Sequence, residues 1–150
     1  MSRTEALAEL IWELRRAFRD LAAAAGRELQ TLDLSPADRA FLEFLAREQE
    51  PVSLSDLARK HSVSRQHIHQ TWRRLSHPEW VEEIPDSADR RSVRLRLSKA
   101  GRAGWKRIQA VDQAFLRRLA RRLPPERVGD ATGLLRQLRR ELQPTNGDRG

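Results

Sequence analysis

One segment of the chain, residues 57–78, combines cationic and hydrogen-bonding side chains and contains no acid. It holds all four histidines and five other basic residues, namely His61, His67, His69, His77, Arg59, Lys60, Arg65, Arg73 and Arg74. Side chains of these types can contact phosphates and base edges, so the segment indicates a polyanionic partner, most simply nucleic acid. A solvated basic face on an arginine-rich protein is the alternative reading of the charge alone.

The same segment has the spacing of two short helices joined by a tight turn. Ser53 or Ser55 can cap the first helix, and Ser64 can cap a second helix, predicted from Arg65 to about Ser76. Apolar spacing marks the inner face of the second helix, formed by Ile68, Thr71, Trp72 and Leu75. Because successive residues of a helix are rotated by about 100°, the face opposite these apolar residues carries long polar side chains. These are Gln66, His69, Gln70, Arg73 and Arg74.

After Pro78 the apolar period changes from helical to alternating. Residues 80–84 and 93–97 are predicted to form two short strands of a β-hairpin whose tip carries Arg90 and Arg91. Two short helices followed by a hairpin make a winged helix-turn-helix, in which the second helix fits the major groove of duplex DNA. Either arginine of the tip can enter a narrow minor groove beside it. Contacts with another protein are the alternative use of such a fold.

The side chains of the predicted second helix suit distinct roles on DNA. Arg73 can donate to guanine O6 and N7, and Gln66 and Gln70 can each pair with adenine. Ser64 and Arg65, at the helix start, suit phosphate contacts. These roles predict sequence-specific binding of double-stranded DNA.

Residues 52–101 resemble the MarR family of bacterial transcription regulators. The matching parts are Leu57-Ala58, residues 63–66 (VSRQ) and, most specifically, residues 89–101 (DRRSVRLRLSKAG), which match the wing signature of the family. The order of the helices also agrees, so the resemblance extends over about residues 5–143. It implies a homodimer with interlocked terminal helices, more often a repressor than an activator, that presents two winged helix-turn-helix units to a pseudo-palindromic operator.

The resemblance also implies individual roles. Carried over by position, the recognition helix begins at Ser64, and Asp89 holds Arg91 in place at the wing tip. Residues 77–80 (HPEW) stand where the family usually has a glycine, so a different wing angle is expected. Ala88 replaces a commonly charged wing residue, which leaves the two arginines of the tip to contact the groove.

Many members of this family bind small aromatic or phenolic ligands between the dimerisation helices and the winged helix-turn-helix, and such binding alters DNA affinity. The candidate ligand contacts here are Trp12, Phe44 and Trp105. Aromatic residues at helical spacing are alternatively plain core. The chain has no cysteine, which excludes the thiol-peroxide sensing of one branch of the family.

The rest of the chain predicts helices. A stripe from Leu7 to Leu21 indicates a first helix, and Ser35 and Asp38 form a capping-box pattern for a second. Ser98 caps a long helix reaching Leu123, and a last helix follows the two prolines. The expected fold is mainly α with a small β-hairpin wing.

A single domain over residues 1–150 is predicted. Its winged helix-turn-helix covers about 36–98, and dimerisation helices at about 4–29 and 99–143 flank it.

The net charge of +8 is unevenly distributed. Residues 1–50 hold 7 basic and 10 acidic side chains, a net of −3, whereas residues 51–100 and 101–150 carry +4 and +7. The absence of cysteine also excludes a disulfide scaffold and a cysteine-ligated metal site. No apolar run reaches the about 20 residues of a membrane span, so we expect a cytoplasmic protein.

The histidines invite a metal-site or enzyme hypothesis, which their spacing disfavours. His67 and His69 are two residues apart on a helix and point about 160° apart, and no acid lies within the segment to assist them. We therefore expect no metal, no cofactor and no enzymatic activity. A DNA affinity that increases below about pH 6.5 is the favoured role of these histidines. A non-specific basic protein that binds DNA or RNA, of nucleoid type, is the alternative function.

Overall fold

The structure, a computed structural model, describes residues 1–89 and 91–143. The helices are α1 (Arg3–Gln30), α2 (Pro36–Arg47), α3 (Leu54–Lys60), α4 (Arg65–Arg73), α5 (Lys99–Ala120) and α6 (Pro125–Glu141). Strands β1 (Val81–Pro85) and β2 (Val93–Leu97) form an antiparallel hairpin between α4 and α5. The predicted mainly α fold with a β-hairpin wing is confirmed.

Serine residues set the starts of five helices. In α1 to α5, a serine hydroxyl accepts a hydrogen bond from the backbone N–H three residues further on; the serines are Ser2, Ser35, Ser53, Ser64 and Ser98. Such caps satisfy backbone donors that have no partner within a helix. At α2 the arrangement is reciprocal, because Asp38 Oδ2 accepts from the Ser35 N–H at 2.9 Å. Of the two serines considered for α3, the structure selects Ser53.

Three predicted boundaries are wrong. Helix α4 ends at Arg73 rather than near Ser76, since the following residues turn away and Pro78 disfavours helical backbone before it. Trp80 ends a 3-10 turn (Pro78–Trp80) instead of starting β1, and its backbone N–H bonds to His77 O. Helix α5 ends at Ala120, so Leu123 lies beyond it.

The hairpin is joined to the start of α3 by a short β-bridge. Val81 pairs with Leu97 and Pro85 with Val93, which places Leu95 and Leu97 on the inward face. Val52 and Leu95 exchange two backbone hydrogen bonds of 2.9 and 2.8 Å. The wing is therefore anchored along its second strand to the helix-turn-helix.

The core lies where α2, α3, α4, the hairpin and the start of α5 meet. Its largest fully buried side chains are Phe41, Leu42, Leu57, Ile68, Leu95 and Ile108. On α2, Phe41 and Leu42 are buried, whereas Ala40 and Phe44 are partly exposed. We call residues 34–112, which contain nearly all of this core, the winged region.

The chain divides into two compact units, residues 1–112 and residues from 113 onward, with the boundary inside α5. The first contains α1, the winged region and its core. The second contains the end of α5 and the whole of α6, in which no residue is buried. Among the described residues, no helix combines the length and hydropathy that a membrane crossing needs. The single domain over residues 1–150 stays a prediction.

Candidate DNA interface

The junction between α3 and α4 has the geometry of a helix-turn-helix. His61 closes α3, and Ser62 takes a left-handed backbone conformation with φ of 54°. The Val63 N–H then bonds back to Ala58 O at 3.0 Å, and Ser64 caps α4. The polar backbone groups of this short turn are satisfied locally, which fixes the direction in which α4 leaves it.

Helix α4 presents two chemically different faces. Ile68 and Thr71 are buried, and Trp72 stacks on Phe41 with ring centroids 5.9 Å apart. The opposite side carries six exposed side chains, namely Arg65, Gln66, His69, Gln70, Arg73 and Arg74. Within residues 1–89 and 91–143, none of these six side chains forms a hydrogen bond or an ion pair. The inner face thus holds α4 against the core. The hydrogen-bond donors of the outer face are available to another molecule.

Two aspartates organise the loop of the wing. Asp86 Oδ1 accepts from the Ala88 N–H at 3.0 Å, and its Oδ2 accepts from Ser92 Oγ and Arg94 Nε, each at 3.2 Å. The Ala88 N–H, assisted by Arg94 and Ser92, holds the pKa of Asp86 below its usual value. Asp86 was missed in the sequence, although an aspartate that bonds the N–H two residues on is a recognised turn former.

Asp89, which the family resemblance placed beside Arg91, contacts the main chain of that residue. Its Oδ1 accepts from the Arg91 N–H at 2.9 Å, and no ion pair joins the two side chains in the described part of the chain. Arg91 is exposed, and Arg90 lies outside the described residues.

The arginines of the wing differ in how they are used. Arg94 bonds to Asp86 and to Pro51 O, and Arg96 Nε pairs with Glu82 Oε1 on the neighbouring strand. Both guanidinium groups therefore have partners within the chain. Arg91, at the tip, has no such partner among the described residues.

The three candidate ligand contacts have separate surroundings. Trp12, on α1, is 55% exposed. Phe44 stacks on His61 with ring centroids 3.8 Å apart. The Arg39 guanidinium lies 5.9 Å from the ring centre of Trp105. Phe44 and Trp105 pack against the core, as the alternative reading of these aromatics expects, and the ligand role stays a prediction.

Two histidines have carboxylate neighbours that lie outside the acid-free segment 57–78. His61 Nε2 lies 3.9 Å from Glu48 Oε1, and His77 Nδ1 lies 3.2 Å from Glu79 Oε1. His67 and His69 are exposed on α4. In the part of the chain that the structure describes, no group of three or more potential ligands could hold a metal ion.

Comparison with known proteins agrees with this geometry. Residues 34–101 match the family model of a winged helix DNA-binding domain. No curated protein sequence matches the chain.

Among solved structures, a MarR-like transcription regulator from Bacillus cereus is similar, with a TM-score of 0.76 and 19% identity over 93% of this chain and 99% of that one. Wild-type MarR from E. coli has a TM-score of 0.69 and 22% identity over 88% and 95%. The S. aureus MepR–DNA complex has a TM-score of 0.71 and 17% identity, over 87% of this chain and 96% of that one.

The fold and the interface thus define a winged helix protein of the DNA-binding class. Its fold is that of the MarR-family transcription regulators, which confirms the resemblance seen in the sequence. The matched family model describes a domain that binds DNA, and the S. aureus MepR structure of this fold is a complex with DNA.

Proposed function

We propose that the protein is a homodimeric, sequence-specific regulator that binds a pseudo-palindromic operator in double-stranded DNA and represses transcription. The observation that carries the proposal is the outer face of α4, where six polar or cationic side chains are exposed and have no partner among the described residues. A helix of this width fits the major groove, where base pairs present distinguishable patterns of donors and acceptors.

Within this proposal, the residues of α4 divide between reading and positioning. Arg73 reads guanine, and Gln66 and Gln70 read adenine, because each can form two hydrogen bonds to one base. Ser64 and Arg65 contact phosphate at the start of the helix. The flanking side chains, His69 and Arg74, contribute further contacts on either side.

Selection from random duplexes, followed by competition between the selected and random DNA at two salt concentrations, tests the proposal. A regulator should prefer its site by a factor of about 10³ or more. A ratio near one at both salt concentrations would instead support the non-specific basic protein.

Two substitutions test the assigned contacts. Arg73→Ala should weaken binding of the selected site by about 1–3 kcal/mol and relax base choice at one position. Arg91→Ala should weaken binding strongly, while Arg96→Ala, whose guanidinium is paired with Glu82, serves as the control in the same hairpin. Equal losses for Arg91→Ala and Arg96→Ala in duplex titrations would contradict the role of the wing tip.

The dimer is proposed because the terminal helices leave large apolar side chains in solvent. On α1 these are Leu7, Trp12, Leu14, Phe18 and Leu21, and in the second unit they are Leu116, Leu119, Leu123, Val128, Leu134 and Leu142. Large apolar side chains that lie together on exposed helix faces are typical of a protein–protein interface. The net charges of −3 and +7 in the first and last fifty residues favour a second copy of this chain as the covering partner.

A matched pair of variants on α1 tests the dimer. Phe18, 72% exposed, belongs to the apolar stripe, whereas Arg16 lies about 160° around the helix from it. Phe18→Ser should shift the equilibrium from dimer to monomer in sedimentation experiments, and Arg16→Ser should not. A wild-type chain that stays monomeric at every concentration would refute the dimer.

A small aromatic ligand is proposed as the regulator of DNA binding. Phe44 and Trp105 support this, since each presents a partly buried ring beside a polar or cationic group, His61 and Arg39. Phenol and benzoate added to the DNA-binding assay should lower affinity in the wild type and have less effect in Trp105→Ala. Unchanged affinity with both compounds would count against these two ligand chemistries.

A further inference from the structure

The short segment between the recognition helix and the wing is held by several distant parts of the chain. Ser76 Oγ donates to the buried Asp38 of α2 at 2.8 Å. His77 Nε2 lies 3.1 Å from the backbone carbonyl of Leu32, in the loop between α1 and α2. The same segment therefore links α4 and the wing to α2 and to the α1–α2 loop.

Trp80 fixes the other end of this segment against α5. An added Cβ would overlap Trp80 O at Gly101 and would lie 2.6 Å from the indole ring at Gly104, so both glycines are needed for the close approach. The Ser98 N–H donates to Trp80 O at 2.9 Å. The His77 ring stacks on the indole, with centroids 4.4 Å apart and an angle of 11° between the planes.

The two ring nitrogens of His77 both face hydrogen-bond acceptors. Nε2 faces the Leu32 carbonyl at 3.1 Å, and Nδ1 faces Glu79 Oε1 at 3.2 Å. A neutral imidazole carries one N–H and can donate to only one of them, whereas the protonated ring can donate to both. Neither a carbonyl nor an ionised carboxylate can donate in return.

The charged groups around His77 come from each neighbouring element. Glu79 lies on its own turn, Asp33 follows Leu32 in the α1–α2 loop, and Asp38 of α2 bonds to the adjacent Ser76. From α5, the Arg107 guanidinium lies 5.4 Å from the ring centre of Trp80. Among the described residues, Glu79 is the one charged group in direct contact with the ring.

We propose that His77 is a positioning residue for DNA binding, whose protonated ring ties the α1–α2 loop to the base of the wing. This inference rests on the proposed function. The second hydrogen bond is present while the ring carries its proton and is lost as the pH rises and the ring becomes neutral. Proton uptake at His77 therefore holds the wing at a defined angle to α4 and strengthens binding of DNA.

The experiment compares affinities for the selected duplex at pH 6 and pH 8 at constant ionic strength. Because His67 and His69 are two further histidines on the exposed surface of α4, all proteins carry His67→Gln and His69→Gln, so that a pH dependence cannot come from them. We expect the parent to bind about threefold to tenfold more tightly at pH 6, as one hydrogen bond predicts. His77→Gln should bind at both pH values as the parent binds at pH 8.

Glu79→Gln is the decisive second variant, since Glu79 is exposed and its replacement should leave the fold intact even if His77→Gln does not fold. The amide that this substitution introduces can donate to a neutral ring, so both ring nitrogens have partners without a proton. This variant should keep at pH 8 the affinity that the parent has at pH 6.

A parent-like pH dependence in either variant would overturn the inference while leaving the proposed function standing. Loss of all preference for the selected duplex in the parent at both pH values would refute the proposed function itself.

Discussion

The winged region and the two terminal helices bury their apolar side chains to different extents. Leu57, Leu95 and Ile108 of the winged region have no exposed surface, whereas on α1 and at the end of α6 Phe18 and Leu142 are 72% and 74% exposed. Both parts have the helical apolar spacing that normally faces a core. The difference shows that helical periodicity alone does not tell whether an apolar face is buried within the same chain.

The largest expected effect is a difference in stability between two substitutions, one in the winged region and one on a terminal helix. Leu57→Ala should lower the free energy of unfolding by about 2–5 kcal/mol, because it opens a cavity in a closed core. Leu134→Ala on α6, where the side chain is 49% exposed, should cost far less in dilute protein and more as the concentration rises. Denaturant titrations at two protein concentrations measure both, and similar losses in dilute protein would show that α6 is packed as tightly as the core.

A glycine pair should give the next largest effect. Gly101→Ala forces a Cβ against the Trp80 carbonyl and should destabilise the winged region by about 1–3 kcal/mol. At Gly129 on α6 nothing lies within 4 Å of an added Cβ, so Gly129→Ala should stabilise by up to about 1 kcal/mol through helix propensity. Thermal unfolding provides the measurement, and a stabilising Gly101→Ala would disprove the close approach.

The smallest expected effect is the loss of order in the loop of the wing at low pH. Since its hydrogen bonds lower the pKa of Asp86, the order that this carboxylate imposes is complete above the usual pKa of aspartate. It should be lost as the pH falls through the lowered value, below about pH 4. The Ala88 amide signal, followed by NMR from pH 8 to pH 2, should stay constant from pH 8 to pH 5, and Asp86→Asn should remove the acid transition. A transition near neutral pH would show that a group other than Asp86 controls the order of the loop.

The sequence predicted the local features of the interface well. Serine caps, the turn before Ser64 and the two faces of α4 depend on residues three to seven apart, so they follow from the periodicity of a helix. The exposed outer face of α4 was predicted residue by residue for the same reason. Asp86 was missed although its contact with Ala88 is local, because the wing signature of the family begins three residues later, at Asp89.

Contacts between distant residues could not be predicted in this way. The burial of Asp38 was not foreseen, because its partner Ser76 is 38 residues further along the chain. The contact between His77 and the Leu32 carbonyl was missed for the same reason, since the two residues are 45 positions apart. No local pattern indicates which of many polar groups will meet across such separations.

The sequence by itself determined the helices, their caps, the hairpin and the cationic face without acids, because these depend on the preferences of neighbouring residues. Tertiary structure alone decided which arginines of the wing have partners, with Arg94 and Arg96 bonded inside the chain and Arg91 left at the tip. It also decided that both nitrogens of His77 face acceptors. The physical reason is that a hydrogen bond requires a donor and an acceptor about 3 Å apart, and only the folded chain sets that distance.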